Sequence, residues 1–171
     1  MRVGLINKST KTETGIGRYS AELQQSLKQA GVDVIEVNPI IPLPKGFLGL
    51  INKLIGWDIE TFFYNYPVWI RYPEADIFHL TSQNLATLMI FHKPPGRTVI
   101  TVHDLINLDY QSDLPLNVFL KIAHRFFEQL ALVGIRRIDW AISDSNFSKT
   151  VIHRLVSLES RNSSQESSPV E

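Results

Sequence analysis

The chain has no cysteine among its 171 residues, which excludes disulfides and thiolate metal sites and permits a reducing compartment such as the cytoplasm. It also has no surplus of either charge. Lys plus Arg and Asp plus Glu both total 17, so electrostatics gives no reason to expect nucleic acid as a partner. No uncharged apolar run reaches the ~20 residues that a spanning helix needs. The opening MRVGLINKSTKTE turns polar after a handful of residues, unlike a signal peptide or a membrane span. There is no internal repeat, and no HExxH or comparable spacing accompanies the histidines, so no metal is expected. What remains is 44% hydrophobic and 20% charged, the composition of a soluble globular protein with one real core.

The alternation of apolar runs and helical periods predicts an α/β fold. Arg2 to Ile6 reads as a buried strand and leads into a polar loop, Asn7 to Thr14. From Thr14 to Gly31 the residues Ile16, Tyr19, Leu23, Leu27 and Ala30 fall along one helical face, with Arg18, Glu22, Gln25 and Gln29 on the others. Gly31 supplies the stop, where positive φ is often needed. Val32 to Val37 is a second strand, so a β-loop-α-β unit is in place within forty residues and predicts a parallel sheet.

The stretch from Asn38 to Pro73 is irregular, with Pro39, Pro42 and Pro44 close together. Phe47, Leu50, Ile51, Leu54 and Ile55 have helical spacing between Lys45 and Lys53. They suit a helix capping the sheet or one lying on a membrane surface or lipid-like acceptor, so peripheral membrane contact falls to residues 45–72. Three more strands are expected at Asp76 to Leu80, Thr98 to Val102 and Asp139 to Ser143. A long helix is expected over Leu116 to Ile135 with Leu116, Phe119, Leu120, Ala123, Phe127, Leu130 and Ala131 on one face. Asp144, Ser145 and Asn146 can cap a last helix, Phe147 to Leu155. Residues 156–171 are Ser/Glu-rich and read as a disordered tail, leaving residues 1–155 as one domain.

Chemistry is expected beyond the carboxyl ends of the strands, where ligands sit in open parallel sheets. Gly15 and Gly17 either shape a helix start or let an anion, phosphate above all, approach the first-turn N–H groups. His79 with Thr81, Ser82, Gln83 and Asn84, His103 with Asp104, and Ser143 to Asn146 all fall at the same edge. An imidazole there can hydrogen-bond a substrate hydroxyl or carry a proton, and Asp104 can orient it or bind a hydroxyl itself. A dinucleotide site draws on Glu36 at the end of the second strand. Against it, the glycines come some eight residues after the first strand, and Ser20 stands where GxGxxG has its third glycine.

Four segments in order, TGIGRYSAEL (Thr14 to Leu23), ADIFHL (Ala75 to Leu80), VITVHDLINL (Val99 to Leu108) and AISDSNFSKTVI (Ala141 to Ile152), resemble the N-terminal domain of family 4 glycosyltransferases. The resemblance covers nearly all of residues 1–155. It implies a Rossmann-like parallel sheet with helices on both faces, a single domain that is half of the two-domain GT-B architecture.

It further implies transfer of a sugar from a nucleotide-sugar to the hydroxyl of a carbohydrate or lipid-linked acceptor, with retention and with neither metal nor cofactor required. By the same resemblance Gly15, Ile16 and Gly17 approach the donor diphosphate. His103 and Asp104 lie at the transferred sugar, and Arg18, His79 and Asn84 face the acceptor, with Ser145 to Lys149 packed beside the cleft. The family's nucleotide-binding residues and its E-x7-E motif belong to a C-terminal domain, so the resemblance implies either a fragment or a subunit whose partner chain supplies that donor half. Glu159 and Glu166 match that motif by number only. The alternatives are a non-catalytic binding or regulatory domain and a small nucleotide-binding Rossmann protein.

Overall fold

The computed structural model describes residues 1–8, 14–40, 52, 58–103, 118–146 and 148–150, of which 118–120 by their backbone alone. The apolar stripe at Phe47 to Ile55, apart from Asn52, lies outside the described residues. So do Asp104, most of the last expected helix and the tail at 156–171.

Within them the fold is α/β. The strands are β1 (Arg2–Ile6), β2 (Asp33–Val37), β3 (Ile77–Leu80), β4 (Arg97–Val102) and β5 (Trp140–Ser143). All pair in parallel in the order β2-β1-β3-β4-β5. Each strand begins within a residue of its expected start, because short β-branched and apolar runs have few other ways to hide in a doubly covered sheet. The helices are α1 (Gly15–Gln29), α2 (Ile59–Asn65), α3 (Leu88–Phe91) and α4 (Val118–Ile135), with a 3-10 turn at Gln83–Thr87. Among the described residues no helix is long and apolar enough to cross a membrane.

Strand pleating sorts the sheet into two unlike faces. Ile6, Phe78, Leu80, Ile100 and Val102 point one way and pack with Leu85, Ala86 and Leu88 of the 3-10 turn and α3 and with Ile135 of α4. Each such side chain contributes ~1.5–3 kcal/mol by leaving water. Space on this face is used up. A β-carbon on Gly4 would stand 2.8 Å from the Phe78 ring on the neighbouring strand, and one on Gly134 would stand 2.0 Å from the Ala86 carbonyl oxygen. Glycine at 134 is what lets α4 cross the 3-10 turn backbone against backbone.

The opposite face carries Leu5, His79 and Thr101 and is covered by α1, whose Tyr19 hydroxyl meets the Thr101 hydroxyl at 2.7 Å. Thr14 caps this helix by accepting the Gly17 N–H at 3.0 Å, and Gly31 ends it at φ 76° as expected. The expected inner residues Ile16, Tyr19, Leu23 and Leu27 are half-buried; only Gly17 and Ser20 are fully covered. Among the described residues α1 is the helix that covers this face.

Two short helices have no counterpart in the sequence pattern. In α2, Asp58 caps the first turn through Thr61 N–H at 3.1 Å and Thr61 Oγ1 at 2.6 Å. Its Phe62 ring then packs edge-on against Phe127 of α4, with centroids 5.0 Å apart. The second, α3, continues directly from the 3-10 turn.

Candidate functional site

Strand order reverses at β1, since the chain steps from β1 outward to β2 and then crosses back to β3 on the other side. In open α/β sheets that reversal, at the carboxyl edge, is where a crevice opens for ligands. His79 on β3, the residues after β3, His103 after β4, Asp144 after β5 and the first turn of α1 all gather at this edge.

His103 is the most heavily braced of them. Its Nε2 lies 3.0 Å from the Thr81 carbonyl oxygen, and its Nδ1 lies 3.1 Å from Asp144 Oδ2. Both neighbours accept hydrogen bonds, so the ring satisfies them together only when both nitrogens carry protons. The Tyr19 ring stands edge-on to it, centroids 4.5 Å apart at 80°.

The backbone here is clasped as well. Ser148 Oγ donates to the His103 carbonyl at 3.3 Å, and Ser145 Oγ donates to Ser148 Oγ at 3.0 Å while accepting the Ser148 N–H at 3.1 Å. The Ser-x-x-Ser pattern thus starts the last helix and holds residue 103 in place. The cap residue of that helix is Ser145, so Asp144 is released to face the imidazole.

His79 has a different environment. It is buried at 7% exposure, and its Nε2 is 2.8 Å from Thr101 Oγ1, which also meets the Tyr19 hydroxyl. Burial, and after it the neighbouring His103, pulls its pKa down to about 4. His79 is therefore a neutral hydrogen-bonding residue under α1 at ordinary pH. It supports the site from below instead of presenting itself to solvent.

The other nominated residues are placed as follows. Gly15 is exposed, and a β-carbon there would meet nothing within 4 Å. Gly15 and Ile16 keep first-turn N–H groups with no intrahelical acceptor. The Gly17 N–H is taken by Thr14, and Gly17 itself is buried, so two of the three nominated positions offer an N–H to an anion. Arg18 is exposed on the first turn, and Asn84 is half-buried in the 3-10 turn. Asp104 lies outside the described residues.

Sequence reasoning missed two contributors to this site, Tyr19 and Thr101, and placed Asp144 at this edge without its bond to His103. Local pattern presents Tyr19 as a core residue, Thr101 as a β-branched strand residue and Asp144 as a cap. The signal available was position: Asp144 and His103 each directly follow a strand, and β4 and β5 are neighbours. Among the described residues no group of three or more His, Asp or Glu is placed to hold a metal. A groove of about 640 Å³ lined by Asp76, Lys93, Gly96, Arg97 and Asp139 lies at the amino-terminal edge and contains none of the nominated residues. Compared with known protein families and with curated proteins, the chain matches none.

Proposed function

We propose that the chain is the acceptor-holding lobe of a retaining glycosyltransferase, which passes a sugar from a nucleotide-sugar to an acceptor hydroxyl. The observation that carries this reading is the contact between Tyr19 and His103. It brings the glycine-bearing first turn of α1 and the end of β4 to one face and one edge of the sheet, as a shared mouth requires. In this reading the Gly15 and Ile16 N–H groups meet the donor diphosphate. His103 donates to a hydroxyl of the transferred sugar by exchanging the Thr81 carbonyl for it, while Asp144 keeps the ring in place. Arg18 and Asn84 face the acceptor. A second lobe brings the nucleotide, and the cysteine-free sequence agrees with a cytoplasmic setting.

The test is nucleotide-sugar turnover by the chain alone and with the product of the adjacent reading frame. Turnover is expected from the mixture, and its loss is expected with His103→Ala. Strong turnover by the chain alone would refute the division of labour. A second reading, a binding or regulatory domain without catalysis, is favoured by the engagement of both His103 nitrogens. It predicts that His103→Ala leaves transfer by the mixture unchanged.

A further inference from the structure

The ends of β1 and β3 are stitched together by Thr81, whose N–H and hydroxyl donate to the Ile6 carbonyl at 3.1 and 3.0 Å. One residue past this clasp stand Asn7 on the first strand and Ser82 on the other. Both are buried, at 5% and 1% exposure. Neither Asn7 Oδ1 nor Ser82 Oγ has a hydrogen-bond partner among the described residues. A buried polar atom left in this state costs ~1–3 kcal/mol, so a chain that keeps two of them just past the ends of neighbouring strands calls for an explanation.

The next residue, Lys8, adds charge. It is half-buried and forms no ion pair with any described residue, and burial pulls its pKa below the ordinary lysine value. A cation without an ion pair among the described residues, a hydroxyl and an amide oxygen thus flank the β1/β3 reversal, where the fold opens its crevice. Their chemistry is complementary to a molecule with both an anionic group and hydroxyls: ammonium to anion, and amide oxygen and serine hydroxyl to hydroxyl groups.

We propose that Asn7, Lys8 and Ser82 form a pocket that selects an acidic acceptor, a sugar bearing a phosphate or a carboxylate, with Lys8 on the anionic group and Asn7 and Ser82 on the hydroxyls. This deepens the acceptor-lobe reading and rests on it.

The experiment is an amide-resolved NMR titration of the full chain with glucose, glucose 6-phosphate, glucuronate and inorganic phosphate. At least one acidic sugar is expected to shift the Asn7, Lys8 and Ser82 amides and to bind at least tenfold more tightly than glucose. Lys8→Met should abolish that preference, and Lys8→Arg should keep it. Ser82→Ala should weaken binding without lowering Tm, because the hydroxyl it deletes has no partner among the described residues. A fall in Tm would show that hydroxyl to be structural and overturn its role. Equal binding of glucose and the acidic sugars would overturn the pocket's selectivity and leave the acceptor-lobe reading standing. Inorganic phosphate binding as tightly as the sugar phosphate would reduce the pocket to a free-anion site and overturn the proposal. Silence toward all three sugars would overturn both the pocket and the acceptor-lobe reading.

Discussion

The two faces of the sheet are built from the same five strands to opposite ends. On one face Ile6, Phe78, Leu80, Ile100 and Val102 interlock with the 3-10 turn and α4, and a β-carbon at Gly134 would collide with the Ala86 carbonyl. On the other, His79 and Thr101 lie beneath α1, with His103 and Asp144 beyond them at the rim. The first face holds the fold together through packing, where shape tolerates little. The second gives part of its area to hydrogen-bonding groups that could have been apolar. Stability and chemistry are thereby separated across one layer of backbone.

Gly134→Ala tests the rigid face most severely. The added carbon meets backbone at 2.0 Å, which no rotamer change can relieve, so α4 must move off the 3-10 turn. A loss of about 3 kcal/mol or more is expected, at or beyond the upper end for overpacked cores, read as a lowered midpoint in urea unfolding. A variant as stable as the parent would show that the two backbones do not touch.

Acid tests the other face. His79 has a folded-state pKa of about 4, below its unfolded value near 6.5, so the unfolded chain binds the proton more readily. Stability is then full above pH 6.5 and falls as pH drops toward 4, by up to ~3 kcal/mol on the linkage relation. His124, whose pKa burial also lowers, titrates in the same direction. The carboxyls of Asp58 and Asp139, held below their ordinary value by hydrogen bonds from the Thr61 side chain and the Thr98 backbone, act only below about pH 4. Urea unfolding at pH 7 and 4.5 should therefore show a clear loss in the parent and a smaller one in His79→Gln. Identical losses would remove His79 as the cause.

This division also sets how much of the molecule could be read from its sequence. The strands were legible because a run such as TVITV has a single plausible fate, and α1 because Ile16, Tyr19, Leu23 and Leu27 keep a helical period. The helix at Ile59–Asn65 was not. Its aromatic run, Phe62, Phe63 and Tyr64, shows no periodicity, and it is held by the Asp58 cap and by packing on Phe127. The 3-10 turn begins in the polar stretch Gln83 and Asn84 and gains its place through long-range packing, Leu85 and Ala86 in the core and Ala86 against Gly134. At the site, sequence found the strand ends but not who bonds whom. That Asp144 serves His103 follows from β4 and β5 being neighbours, a fact of strand order that no local pattern encodes.

Thr101→Val gives a smaller effect than acid and locates it. The hydroxyl lost is the one that both Tyr19 and His79 use, so each keeps a polar atom with one partner fewer. A cost of ~1–2 kcal/mol is expected from the half-buried bonds, together with weaker protection of the α1 amides in hydrogen exchange. If Thr101→Val instead stabilised the fold, the polar link would be dispensable.

Gly15→Ala should change stability least and is the sharpest of the four. Glycine is not demanded there by backbone geometry, since φ is not positive, nor by crowding, since a β-carbon would meet nothing within 4 Å. Alanine is also the better helix former, so Tm should hold or rise slightly. The reason left for glycine is the approach of a ligand to the first-turn N–H groups, which a methyl group would obstruct. Calorimetric titration with UDP-glucose, using the mixture that tests the proposed transfer, should show Gly15→Ala binding at least tenfold more weakly than the parent at unchanged Tm. Equal binding would mean that the α1 terminus is only a helix start, and the functional face would then contract to His103, Asp144 and the β1/β3 crevice.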